Sequence, residues 1–151
     1  MFERTDLKTF LWFPGQLDDV LEFYTTTFEK VVVHSVERMS ENGPAFTADF
    51  SIYGHQFIAM AHEGGPAFND SISLHVLCDG QEEVDRLWEA ITSEGQAGNC
   101  GWCVDKFGVS WQVTPTQMRD YLGAEDPEDR EYAWAALRQM HKIVLADFVR
   151  P

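Results

Sequence analysis

Residues 9–28 read TFLWFPGQLDDVLEFYTTTF, and residues 71–91 read SISLHVLCDGQEEVDRLWEAI. Each stretch changes its hydrophobic period part-way. The aromatic run Thr9–Phe13 is too short for a helix and is stopped by Pro14-Gly15, which predicts a strand. Beyond it Leu17, Val20, Leu21, Tyr24 and Phe28 recur at helical spacing behind Asp18 and Asp19, whose carboxylates suit a helix N-terminus. The second stretch repeats the plan. A strand is expected over 71–77, and Asp79 followed by Glu82 has the spacing of a capping box ahead of Val84, Leu87, Trp88 and Ile91. Laying Val20 on Val84, an offset of 64 residues, pairs Asp18-Asp19 with Glu82-Glu83, Phe23-Tyr24 with Leu87-Trp88, and residues 10–13 with 74–77. Two copies of one strand-helix unit point to an internal duplication.

Working outward, strands are expected over 31–36, 45–53 and 56–62, separated by Glu41-Asn42-Gly43-Pro44 and the tight Tyr53-Gly54-His55 turn. After the second helix, which Gly95 closes, strands are expected over 98–104 and 109–114 around Asp105-Lys106-Phe107-Gly108, with room for a short strand near 96–98. The fold class is therefore α+β: tandem β-α-β-β-β modules bending into an open barrel around a common cleft, with a C-terminal helical tail. One domain is expected over 1–151, with module one at about 5–64, module two at about 70–115 and the tail at about 116–151. In the tail, 118–122 predicts a turn or two of helix. The stretch 129–142 carries Ala133, Ala136, Leu137 and Met140 at helical spacing, expected to pack on a sheet edge or a partner subunit.

The 151 residues are 44% hydrophobic and 13% aromatic, enough for a sizeable core. Eleven Lys and Arg against 25 Asp and Glu leave a net charge of −14, which repels phosphate backbones and anionic lipid, so neither nucleic acid nor membrane is an expected partner. No apolar run approaches the ~18 residues of a span, and MFERTDLKTF lacks a signal-peptide core, so a soluble, cytoplasmic protein is expected. Cys78, Cys100 and Cys103 make an odd count. The C-x-x-C at Cys100–Cys103 lies in a glycine-rich, strand-like context without a second zinc knuckle, so buried or half-buried thiols are expected.

Leu11-Trp12-Phe13 with Glu22-Phe23-Tyr24, Gly54-His55-Gln56-Phe57, residues 81–88 (QEEVDRLW), Cys100-Gly101-Trp102, residues 105–113 (DKFGVSWQV) and Gln139-Met140-His141-Lys142-Ile143 resemble the PhnB-like family, labelled 3-demethylubiquinone-9 3-methyltransferase. The duplicated layout resembles the wider vicinal oxygen chelate superfamily of glyoxalase I, bleomycin-resistance proteins and extradiol dioxygenases. The methyltransferase label finds no support in the residues: neither a glycine-rich turn after the first strand nor βαβ alternation of a parallel sheet is present in the sequence.

For catalytic members of the superfamily the resemblance implies four inward His or Glu ligands on the first and fourth strands of each module. Here those positions fall at Thr9, Ile58, Ser73 and Gln112, so no metal and no cofactor is expected. A shifted site from His75, His62 and Glu63 is the metal-dependent alternative, as a lyase, isomerase or dioxygenase using His75. Strand alternation places Thr9, Leu11, Phe13, Ile58, Met60, Ser73, His75, Ser110, Gln112 and Thr114 on the cleft side, and Phe10, Trp12, Val76, Trp111 and Val113 against the helices. Such a lining suits a small organic ligand. Trp12, Trp88, Trp111 and Trp134 have the spacing of core residues, Trp102 that of a cleft border or subunit contact, and His34, His55 and His141 of surface or turn residues. The expected function is a metal-free, small-molecule-binding homodimer, whether it is an enzyme being left open. A purely structural or interaction role is the remaining alternative.

Overall fold

The computed structural model describes residues 7–151, so the expected start of module one at about residue 5 lies outside the described residues. The chain divides into two compact units between Ala67 and Phe68. In the first, β1 (Thr9–Phe13), α1 (Leu17–Thr27), β2 (Val31–Arg38), β3 (Ala45–Ile52) and β4 (His55–Ala61) follow one another. They form a four-stranded sheet of order β1-β4-β3-β2, parallel only at β1/β4. The second unit repeats this plan with β5 (Leu74–Cys78), α2 (Gly80–Thr92), β6 (Gln96–Ala97), β7 (Trp102–Val104) and β8 (Ser110–Pro115). Its order is β5-β8-β7-β6, parallel only at β5/β8. The duplication and the α+β class are thus present in the topology.

In each unit one sheet face is covered by its helix. Leu17, Val20, Leu21 and Tyr24 of α1 are buried, and the Tyr24 and Phe50 rings lie 6.3 Å apart. Phe50 stacks on Phe57 at 5.2 Å, its direct partner across β3/β4. In the second unit Val84, Leu87, Trp88 and Ile91 of α2 are buried, as are Val76, Cys78, Trp111 and Val113 of the sheet.

The helix offset of 64 holds: Val20 and Val84 are both fully buried. It does not extend into the preceding strands. Thr9 pairs with Phe57 as Leu74 pairs with Trp111, which makes the strand offset 65. Residues 14–16 connect β1 to α1, whereas Asp79 alone connects β5 to α2, so the first connection is longer. Gln16 and Gly80, equivalent by the helix offset, both hold positive φ, at 61° and 83°. The extra residue therefore lies between Phe13 and Gln16. A one-residue slip moves every strand side chain to the other face. Leu11 and Phe13, assigned to the cleft side from sequence, are consequently in the helix-side core, Phe13 being 0% exposed. Thr9 shares that face through its partner Phe57, and its Oγ1 lies 2.9 Å from His55 Nε2. Conversely Phe10, 56% exposed, and half-buried Trp12 lie on the open face opposite Ile58 and Met60.

The predicted capping box also shifts by one. Asp79 makes no side-chain cap to the helix; its N–H donates to Glu83 Oε2 at 2.6 Å, and its own carboxylate accepts from Gln117 Nε2 at 3.0 Å. In the tail α3 (Met118–Leu122), α4 (Pro127–Leu137) and a 3₁₀ turn at Leu145–Phe148 enclose a small core of Ala133, Met140, Ile143 and Phe148. The tail docks on the second unit through backbone. Cys100 and Gly101 N–H donate to Met140 and His141 carbonyls, both at 2.8 Å, while the Gln81 amide bonds Ile143 O at 2.9 Å and Leu145 N–H at 2.7 Å. Trp134, expected in the core, is 44% exposed and donates to Leu122 O at 3.2 Å.

Candidate functional site

The second unit's open face carries most of the polar residues expected there. Register places His75 of β5 beside Gln112 of β8, and Gln112 beside Trp102 of β7, so the three form one row across the sheet. Neighbouring strands are about 4.8 Å apart, so the row spans roughly 10 Å, the length of a small bicyclic molecule. Val76, Trp111 and Val113 point the other way, under α2, as alternation requires.

Hydrogen bonds fix this row. Gln112 Nε2 donates to Ser73 Oγ at 2.9 Å, and His75 Nε2 lies 2.5 Å from Thr114 Oγ1. Ser110 Oγ donates to Asn69 O at 3.5 Å. Ser110 and Thr114 are buried and their hydroxyls are engaged, so they support the face; His75 is partly exposed, and Ser73, Gln112 and Trp102 are half-buried. The unused groups are His75 Nδ1, the Gln112 carbonyl with one amide hydrogen, and the Trp102 indole N–H, none bonded to another described residue. Partial burial of the His75 ring lowers its pKa below the ordinary imidazole value, favouring the neutral ring. A neutral imidazole, an amide and an indole N–H can orient a polar molecule and move a proton at His75; nothing among them concentrates charge.

The first unit's open face is more apolar. Phe10, Ile58 and Met60 lie on it, with Lys8 and Asp49 ion-paired at 2.6 Å. Trp12 donates to His62 O at 2.8 Å, and its ring is packed so closely under the following loop that a Cβ on Gly65 would meet it at 2.7 Å. Sequence reasoning missed Phe10 here and Leu77, 62% exposed, on the second unit's face. The signal that finds Phe10 is the unequal length of the two strand-helix connections, and Leu77 follows from alternation with Ser73 and His75.

With the strand offset corrected, Lys8 takes the place equivalent to Ser73 that had been given to Thr9. The four positions that the superfamily resemblance marks for ligands then hold an ammonium, an alkyl chain, a hydroxyl and an amide, at Lys8, Ile58, Ser73 and Gln112. This donor set does not fit a divalent transition metal. Among the described residues no group of three or more His, Cys, Asp or Glu side chains is placed to hold a metal ion. His62 Nδ1 lies 2.6 Å from the Glu63 carbonyl, and the Cys78 and Cys103 thiols are pushed up to about 12, chiefly by burial. Neither thiol offers a thiolate at neutral pH.

Residues 5–114 match the family model described as 3-demethylubiquinone-9 3-methyltransferase. The chain belongs to that family. Among solved structures, a PhnB protein from Bacillus cereus is 29% identical, with TM-score 0.68 over 74% of this chain and 100% of its own. Protein PA1353 from Pseudomonas aeruginosa is 18% identical, with TM-score 0.59 over 74% and 98%, and shares the fold. A glyoxylase/bleomycin resistance protein/dioxygenase domain from Frankia sp. EAN1pec is 14% identical, with TM-score 0.49 over 72% and 90%. No curated protein matches the chain. The PhnB-like resemblance read from the sequence is therefore family membership, and the family match ends before the tail. No helix among the described residues is long and apolar enough to cross a membrane.

Proposed function

We propose that this PhnB-like protein binds a small organic molecule on the open face of its second unit, without a bound metal. Ser73, His75, Gln112 and Trp102 make the polar contacts. The observation that carries this reading is the His75, Gln112, Trp102 row, whose free donors and acceptors face away from the helix-covered core. Ser110 and Thr114 brace it, and Ile58, Met60 and Phe10 offer an apolar face of their own in the first unit. Thr9, Leu11 and Phe13 are withdrawn from the binding set because they lie on the helix side. We propose a single functional domain, a cytoplasmic location and a homodimer, the last supported by the large apolar groups left exposed at Leu77 and Ile72.

Methyl transfer is not part of this proposal. Both sheets are mostly antiparallel, and β1 leads into Pro14-Gly15-Gln16 rather than into a glycine-rich turn of a parallel, doubly wound sheet. The test is thermal-shift screening of neutral polar fragments in EDTA, paired with metal analysis of the purified protein. Stabilising fragments that act in EDTA and lose their effect in Gln112→Leu support the reading. Stoichiometric zinc, nickel or iron, or hits that persist unchanged in Gln112→Leu, overturn it.

A further inference from the structure

The β6/β7 hairpin walls a cavity of about 390 Å³, within the range of small-molecule sites. Gln96, Asn99, Trp102, Val104, Ser110 and Asp70 line it. We infer that this cavity takes small organic cations, recognised jointly by the Trp102 ring and the Asp70 carboxylate. The inference rests on the proposed open-face site and gives its ligand a charge.

The charge follows from the lining. Only two lining side chains can ionise, Asp70 and Cys103, and burial pushes the Cys103 thiol up to about 12. No Lys, Arg or His lines the cavity, so its one formal charge at neutral pH is negative, in a chain of net charge −14. An anionic ligand would face repulsion without a compensating cation. Asp70 makes no hydrogen bond or ion pair to another described residue, so its carboxylate stays available to a ligand. In contrast Asp18, Asp49 and Asp85 each hold a basic partner at 2.6–2.8 Å.

Trp102 supplies the second element. Its indole ring attracts a cation through its face, an interaction that strengthens where water is partly excluded. The wall presenting it is held firmly. Gly98 N–H donates to Trp102 O at 2.8 Å and Trp102 N–H to Asn99 O at 3.0 Å, while His141 Nδ1 lies 2.9 Å from Gly98 O. A Cβ on Gly98 would meet Trp102 O at 2.6 Å, so this tight hairpin depends on glycine. Because Trp102 also stands beside Gln112, a cation seated here has an amide within reach of its polar substituent.

Choline and its neutral carbon isostere, 3,3-dimethylbutan-1-ol, separate charge from shape. Each is titrated into the full chain at low salt while the Trp102 indole signal, assigned with Trp102→Phe, is followed by NMR. Saturable choline binding at least tenfold tighter than the isostere, weakened about tenfold by Asp70→Asn, supports the inference. Asp70 is exposed, so this variant leaves the core untouched. Equal affinity for both probes, or no effect of Asp70→Asn, overturns it. If choline fails while neutral fragments still move His75, Gln112 and Trp102, only the charge assignment falls. If no probe moves those residues, the open-face reading falls as well.

Discussion

Replacing Phe10 and Phe13 separately with alanine tests the register of the first strand. Phe13 is 0% exposed, on the face where α1 packs, while Phe10 is 56% exposed on the other. Truncating a fully buried phenylalanine costs about 3–5 kcal/mol, because transfer and cavity terms add. A phenylalanine already more than half in water has little burial to lose, so Phe10→Ala is expected to cost about 1 kcal/mol or less. With a urea m-value of about 2 kcal/mol/M, Phe13→Ala lowers the unfolding midpoint by roughly 2 M and Phe10→Ala by about 0.5 M or less. Far-UV circular dichroism in urea reads both. Equal losses, or a larger loss for Phe10→Ala, would refute the register and with it the extra residue between Phe13 and Gln16. The alternative register, which puts Phe13 in the cleft and Phe10 in the core, predicts the reverse order.

Other expectations concern single groups. Folding lowers the His75 pKa, so the unfolded chain takes up its proton first; stability is full above the unfolded value of about 6.5 and falls as pH drops toward the folded one. His75→Gln should flatten that slope in urea titrations between pH 7 and 5; an unchanged slope would show that His75 is not its source. The buried Asp105 carboxylate accepts from Phe107 N–H, Val109 N–H and the Trp111 indole at 2.9–3.1 Å. Asp105→Ala should therefore cost about 3 kcal/mol or more, and Asp105→Asn less, in equilibrium unfolding; equal costs would contradict the hydrogen-bond account. Gln81→Ala removes both amide bonds to the tail and should raise amide hydrogen exchange at Leu145 while leaving β8 protected. Unchanged exchange at Leu145 would show that Gln81 does not hold the tail.

The contrast between the two units shows what a single chain discloses. In the second, alternation from Ser73 to Val76 and from Ser110 to Thr114 separates polar from apolar residues, so both faces can be read directly. In the first, the one polar residue of TFLWF, Thr9, lies on the helix side with Phe57, so alternation has no polar residue to mark the open side. The face then depends on the repeat offset, and one extra connecting residue defeats it. The capping prediction missed by one residue: Glu83, not Glu82, reaches back to the Asp79 N–H, and Gly80 there holds a positive φ of 83°. Trp102 joins the row only once Trp102 is paired with Gln112, a relation its glycine-flanked sequence does not carry. In the tail, α4 runs over Pro127–Leu137, so Met140, expected at helical spacing, lies beyond its end, and the anchorage to Cys100, Gly101 and Gln81 is long-range and silent in local pattern.

The most direct test maps fragment binding by NMR on the full chain in EDTA, with the Trp102 indole, Gln112 amide and His75 ring signals assigned. The account predicts saturable shifts that cluster on those three residues. Shifts that cluster on the tail around Tyr132 and Lys142, or that appear only after a divalent metal is added, would contradict it.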